Sequence, residues 1–557
     1  MDDAADLVVK YDGSISGEHG DGQARAELIE KMYGPELMQA FREFKAVWDP
    51  EGRMNPGKVV DPYPITSNLR TGPHYRPPKL ATHFAYPNDG GDFAHAVQRC
   101  VGVGECRRPD SREHQVMCPS YMATHAEQYS TRGRARLLFE MLHGGPIRDG
   151  WKSDAVEEAL DLCLACKGCK SDCPVNVDMA TLKAEFRSHY YAGRLRPRAA
   201  YSMGLIYWWS RAVSVAPLLA NLATQTPGIA ALVKWAGGVS PERRMPPFAP
   251  QSFRNWFAAR AAQPKSGEKR VILWPDCFNT YFRNETAIAA VEVLEAAGCA
   301  VTIPSRPLCC GRPLYDWGML DTAKRLWRQT LDALRDDIEA GVPLVGLEPA
   351  CLSAFRDELI EFFPEDALAR KLSEQSLFFS EFLERHCDEL AFAKLQAKAL
   401  VQIHCHHHAV IKPKDEKKLL DRIGLDCETV PSGCCGMAGS FGFEADKYEV
   451  SMTAGERVLL PAVRDASPDT LIVADGFSCR EQIEQGTGRS TLHAAELTAM
   501  ALGLQGQVRR EAQARNPVQT ATALGLAAFI GFGLGLAARR AFAPRRPARG
   551  VRFGGAR

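Results

Sequence analysis

The chain lacks an excess of either charge: 68 Lys and Arg stand against 67 Asp and Glu, a formal net charge of +1. Without a one-signed field there is no electrostatic basis for binding nucleic acid, and that function class is set aside. The opening residues, MDDAADLVVKYDG, are acidic and lack the apolar run of a secretory leader. A Gly-rich dinucleotide-binding loop directly after a strand pattern is also missing. Cysteine, by contrast, is plentiful. The 18 cysteines fall in short runs at fixed offsets, and without an export signal that grouping points to metal ligands rather than disulfides.

The sharpest run is Cys163-x2-Cys166-x2-Cys169-x3-Cys173-Pro174. Thiolates three residues apart converge on one iron–sulfur cubane, and the fourth, followed by proline, ligates a second cluster. A zinc site would prefer two separated CxxC pairs. The partner run upstream is Cys100-x5-Cys106-x11-Cys118-Pro119, with Val103 where a further cysteine is expected. Crossed ligation then gives Cys118, Cys163, Cys166 and Cys169 to one [4Fe–4S] cluster. Cys100, Cys106 and Cys173 supply three thiolates to the other, a [3Fe–4S] cluster or a second [4Fe–4S] completed by another donor. Asp110, Glu113 and His114 in the intervening insert are candidates for that donor. The Cys-x5-Cys spacing resembles the three-iron motif of the iron–sulfur protein of succinate dehydrogenase, which favours the first outcome.

From residue 270 short apolar strands alternate with helical segments, an α/β pattern. Strands are expected at 271–274, 300–304 and 343–349, and again at 399–405, 428–432 and 470–476, so this half is read as a duplication. Each copy places four cysteines just past strand ends, where open α/β sheets bind ligands. These are Cys277, Cys309, Cys310 and Cys351, then Cys405, Cys434, Cys435 and Cys479. This pattern resembles the cysteine-rich CCG domain pair found in the iron–sulfur components of glycolate oxidase, anaerobic glycerol-3-phosphate dehydrogenase and heterodisulfide reductase. Here the family's third element, CxxC, reads Glu348-Pro-Ala-Cys351 and Gly476-Phe-Ser-Cys479, one thiolate fewer per copy. Further iron–sulfur clusters, zinc, or redox-active or inert thiols are the readings left open. His404, His406, His407 and His408 flank Cys405 as further donors, with at least two expected to face solvent. Cys299, Cys387 and Cys427 are expected to be ordinary buried thiols.

At the amino end, GSISGEHGDG at 13–22 followed by NPGK at 55–58 resembles the carboxyl end of the FAD-linked oxidases, which include D-lactate, glycolate and D-2-hydroxyglutarate dehydrogenases. The resemblance implies a metal ligand at Glu18, a catalytic base at His19 and a flavin-proximal Asn55. With no flavin-phosphate-binding segment before residue 13, FAD is expected only on a separate chain or domain, without which the oxidoreductase is inactive.

The expected fold is multidomain: residues 1–65 a remnant of an α+β FAD-linked oxidase C-terminal domain, 66–95 a linker, and 96–192 an α-helical ferredoxin-like two-cluster domain. Residues 193–265 form a helical connector, 266–390 and 391–503 the two α/β cysteine-rich copies, and 504–557 a tail. Within the tail, the uncharged run 518–538 followed by arginines is read either as a membrane helix or as a loosely packed or disordered tail. The expected function is passage of electrons from a flavin, reduced by a D-2-hydroxy acid, through iron–sulfur clusters to a quinone or soluble acceptor. The location is cytoplasmic, or at the cytoplasmic face of the inner membrane if the tail anchors. The alternatives are a heterodisulfide-reductase-like thiol/disulfide oxidoreductase and an inactive fragment with structural zinc.

Overall fold

The computed structural model describes residues 1–69, 75–110, 115–260 and 269–504, and it divides into two units, Met1–Pro78 and Lys79 onward. In the first, helix α1 (Asp2–Lys10) and helix α2 (Glu30–Trp48) bury Ala5, Leu28, Ile29 and Met38. Helix α2 is interrupted at Gly34, which has φ +76. Pro35 has no N–H to continue the ladder, and only glycine accepts that φ cheaply. Lys58 Nζ donates to Gln23 Oε1 at 3.0 Å, tying the NPGK turn to the end of the Gly-rich loop.

The second unit begins inside the stretch expected as linker. Phe84 and Tyr86 are buried, and the Phe84 ring stacks on Phe362 at 4.3 Å. This aromatic pair belongs to the core rather than to a solvated tether. Among the described residues 79–192 the elements are helical, including α3 (Phe93–Gln98), α4 (Thr131–His143) and α5 (Met179–Tyr190). Helix α4 starts where Ser130 Oγ accepts from Gly133 N and stops at Gly144, φ 63, the usual polar cap and left-handed glycine. The short helices that follow include α6 (Ile206–Val213), α7 (Pro217–Gln225) and α8 (Pro227–Gly237).

Two parallel sheets complete the unit. Strands β1 (Lys269–Leu273), β2 (Cys299–Thr302), β3 (Leu344–Gly346) and β4 (Ser376–Phe378) run in the order β2-β1-β3-β4. Strands β5 (Ala397–Gln402), β6 (Leu425–Thr429) and β7 (Leu471–Ala474) run β6-β5-β7. The common order is the structural signature of duplication. Strand β6 lies three residues earlier than expected, because Pro431 cannot donate to a ladder. Strand β4 is too short to stand out in the sequence.

Five helices of this half matter below. The first copy contributes α9 (Asn284–Ala296) and α10 (Pro349–Arg356). The second contributes α11 (Lys414–Arg422), α12 (Phe477–Thr487) and α13 (Ala494–Ala501). The copies dock through α9 and α13. Arg283 is clamped between Glu481 and Glu484 at 2.9 and 2.6 Å. Burial alone would raise the Glu484 carboxyl, but Arg283 draws it down to about 2. A depressed carboxyl stabilises the fold above its unfolded value, near 4.5, and loses that stabilisation as pH falls through its folded value. Glu484→Gln is therefore expected to cost about 2 kcal/mol at neutral pH. In denaturant titrations the gap between wild type and variant should close as pH drops from 4.5 toward 2. A gap constant with pH would refute the assignment. No helix among the described residues is long and apolar enough to cross a membrane; the run 518–538 lies outside them.

Candidate metal centres

The loop 163–169 turns tightly, with Ala165 and Lys167 at φ 49 and 60. It brings Cys163, Cys166 and Cys169 around one cavity with Cys118. Burial and neighbouring thiols push Cys166 and Cys169 up. For Cys118 burial acts the same way, but the Arg134 guanidinium, 3.6 Å from its sulfur, brings the thiol below its usual range. Fully buried Lys167 pairs with Asp178 and Asp357, each at 2.8 Å, and with Glu358 at 3.2 Å. Its loop is thus pinned to the first cysteine-rich copy.

A second cavity gathers Cys100, Cys106 and Cys173. It shares Met117 and Thr131 with the first, so the two sites adjoin. Arg132 N donates to Cys106 Sγ at 3.3 Å, and burial lifts that thiol to about 11. Val103 lines this cavity and so does Glu105, whose carboxylate pairs with Arg108. Sequence reasoning passes over Glu105, although its place beside Cys106 is the available signal. Asp110 is exposed and does not line the cavity; Glu113 and His114 lie outside the described residues.

In the first copy Cys277 opens the turn after β1, Cys309 and Cys310 follow β2, and Cys351 sits in the first turn of α10 after β3. All four are buried, and their sulfurs contact in series: Cys277 with Cys309, Cys309 with Cys310, and Cys310 with Cys351 at 3.0 Å. In the second copy Cys405 follows β5, Cys434 and Cys435 follow β6, and Cys479 lies on α12 after β7. These four contact in the same series. Hydrogen bonds from Cys434 and Cys479 hold the Cys435 thiol well below its usual range, against burial.

The two departures from CxxC have different causes. Glu348 caps α10, its carboxylate accepting from Ala350 N at 3.2 Å and from Phe477 N of the second copy at 2.8 Å. Burial, reinforced by Asp276, lifts it to about 8. At Gly476 an added Cβ would lie 2.2 Å from the His404 ring, so the imidazole fills the space a cysteine there would need.

None of the four histidines is solvent-exposed, contrary to expectation. His404, His406 and His407 are buried and His408 is half-buried, because this segment is wedged between the 163–172 stretch on one side and Gly476, Phe378 and Glu416 on the other rather than lying on an outer helix face. His406 Nε2 lies 2.9 Å from Ala165 O, and Arg312 Nη2 donates to the same oxygen at 3.0 Å. His408 Nε2 lies 3.1 Å from Asp172 Oδ1. Cys166 and Cys405 share one buried cluster with Cys434. Cys299 and Cys387 contact each other, and half-buried Cys427 lies on β6. An apolar cavity of about 230 Å³ opens between the copies, lined by Cys277, Cys310, Cys351, Cys405 and Glu348 and covered by residues of α6 and α8.

In the first unit Glu18 and His19 are exposed and 3.6 Å apart, and Asn55 is exposed in a left-handed turn at φ 46. These three are not enclosed in a site among the described residues of that unit.

Residues 1–59 match the C-terminal domain of FAD linked oxidases, 96–177 the 4Fe-4S dicluster domain and 271–356 the CCG cysteine-rich domain. The chain is 27% identical over 538 residues to D-2-hydroxyglutarate dehydrogenase of Pseudomonas putida, covering 89% of this chain and 52% of that one. It is 24% identical over 423 residues to the glycolate oxidase iron-sulfur subunit of Escherichia coli, covering 73% and 94%. It is 30% identical over 215 residues to lactate utilization protein A of Bacillus velezensis, covering 37% and 87%. The chain thus spans about half the length of the D-2-hydroxyglutarate dehydrogenases it matches.

Proposed function

Because the chain belongs to the cysteine-rich iron–sulfur family of lactate utilization protein A and the glycolate oxidase iron–sulfur subunit, we propose that it relays electrons from a flavin-bearing partner, reduced by a D-2-hydroxy acid, to a quinone. The observation that carries this reading is four adjoining sets of cysteines, all buried except half-buried Cys100, two around cavities and two in sulfur-to-sulfur series, with Cys166 packed beside Cys405. Thiol-rich donor sets fit iron–sulfur clusters, which supply one-electron transfer when bound.

The residues divide the work. Cys118, Cys163, Cys166 and Cys169 hold one cluster, and Cys100, Cys106 and Cys173 the second. The quartets of the two copies hold further clusters, with His404 as a nitrogen donor in the second. Glu348, protonated near neutral pH and lining the apolar cavity, holds a proton where a two-electron, two-proton acceptor would bind. The outer face of α6–α8 supports a lipid-borne acceptor. Trp209, Leu218, Leu219, Leu232 and Trp235 are exposed there, and the three helices carry Arg211 and Lys234 but no Asp or Glu. An apolar, basic face of this kind suits the anionic inner surface of a membrane. On the flavin side, Glu18, His19 and Asn55 would meet the flavin and substrate.

Anaerobically purified protein is expected to contain iron and acid-labile sulfide and, when oxidised, to show the paramagnetic signal of a three-iron cluster. Val103→Cys, which adds the fourth thiol at the Cys100–Cys106–Cys173 site, should abolish that signal and add about one iron per chain. Well-folded protein without iron would overturn the proposal.

A further inference from the structure

Outside the cysteine sites, one buried cluster stands apart in the second copy. His407 lies in the wide helical turn His407–Ile411 just after Cys405, Glu416 in the first turn of α11, and Asp475 directly after β7. Their relative exposures are 1%, 2% and 4%, and one ligand atom from each lies within 4.8 Å of the other two. Both His407 ring nitrogens, Glu416 Oε2 and Asp475 Oδ2 have no hydrogen-bond partner. His407 Nδ1 sits 2.8 Å from Glu416 Oε2, close but not aligned for a hydrogen bond. Neighbouring ligands around an ion bound at about 2.0–2.1 Å are themselves roughly 3 Å apart.

The groups that face the cluster do not neutralise it. Among the described residues neither Glu416 nor Asp475 forms an ion pair with a lysine or arginine; their only such contacts are with His407 and His493, and the two carboxyls otherwise face each other. His493 is already engaged, with Nε2 3.0 Å from Leu347 O and Nδ1 accepting from Ala495 N. Asp475 Oδ1 accepts from Ala494 N at 2.8 Å, which leaves Oδ2 turned toward the cluster. Nearby Arg356 is committed to Glu381. Two buried carboxyls that face each other with no lysine or arginine between them, and an imidazole with no hydrogen bond, carry a desolvation cost, which a divalent ion would offset.

We propose that His407, Glu416 and Asp475 bind a divalent transition-metal ion of zinc type, separate from any ion at the cysteines. The nitrogen and two oxygens are a common zinc donor set, with water completing four-coordination. The ion joins the turn after Cys405, the helix that follows it and the end of β7, four residues before Cys479. It therefore braces two cysteine-bearing loops of the second copy. The first copy is built differently at the matching positions. Asn279 stands two residues after Cys277 and donates to Asp276 Oδ2 at 2.9 Å, while Leu347 stands four residues before Cys351.

The test is metal analysis and thermal unfolding of the anaerobically purified full chain. The expected result is about one non-iron divalent ion per chain. Chelation should lower Tm, and added zinc should restore it. Glu416→Gln and Asp475→Asn should lose the ion and the zinc response while keeping wild-type iron and sulfide. The sign of the stability change is informative: without an ion, neutralising a buried, unpaired carboxylate stabilises the fold, whereas with one it destabilises. Wild type lacking the ion, variants that retain it, or variants more stable than wild type would each overturn the proposal. If a variant fails to fold, the chelation and zinc add-back of the wild type still decide.

Discussion

Cys166→Ser is expected to remove about four iron atoms per chain, to delete one reduced cluster signal, and to slow flavin-driven reduction of the acceptor by about 100-fold or more. The size of the effect follows from position. Cys166 is buried in the loop 163–169, and the thiol that most raises its pKa after burial is Cys405 of the second copy. On the proposed relay, losing this thiol should interrupt electron flow where the dicluster domain meets the cysteine-rich pair. Reduction with a flavin-bearing partner, followed together with iron content and paramagnetic resonance, checks it. Cys427→Ser is the control, since half-buried Cys427 on β6 belongs to none of the cysteine sets and should leave all three readouts unchanged. Retention of the full signal set in Cys166→Ser would exclude Cys166 as a ligand.

Gly436→Ala should be among the most damaging single changes in the chain, costing more than about 3 kcal/mol. Gly436 has φ +87, and an added Cβ would stand 2.2 Å from Ser451 O. That contact is to backbone, so no side chain can swing away to relieve it. The corresponding glycine of the first copy, Gly311, also has a positive φ of +75, but its nearest neighbour would be Ala323 Cβ at 3.5 Å. Only the conformational cost remains there, about 1 kcal/mol. Denaturant unfolding of the two variants should separate them clearly, and equal costs would mean that the contact with Ser451 does not govern this turn.

These two sites illustrate what is legible in a sequence. Cysteine spacing is local, so the run from Cys163 to Cys173 announces its chemistry from the residues alone. The alternation of apolar strands and helices likewise discloses the parallel sheets and their repetition, because each copy carries its own 2-periodic and 3.6-periodic patterns. Contacts between residues far apart in the chain leave no such trace. That His404 occupies the room a side chain at Gly476 would need depends on two loops meeting, and that Glu348 accepts from Phe477 N depends on one copy docking on the other. The four histidines around Cys405 defeat sequence reasoning for the same reason. A polar run reads as a solvated face unless one knows that the 163–169 loop is packed on it. The cluster of His407, Glu416 and Asp475 is equally hidden, since its members are spread over 69 positions from first to last.

The carbonyl oxygen of Ala165 has a wider consequence. Arg312, two residues after Cys310, and His406, next to Cys405, grip this one atom from both copies. A rocking motion of the segment that carries loop 163–169 would have to break both bonds at once. Spacing between the cysteine sets is consequently frozen into the fold, and turnover in this part of the molecule should respond to thermodynamic driving force while remaining insensitive to solvent viscosity.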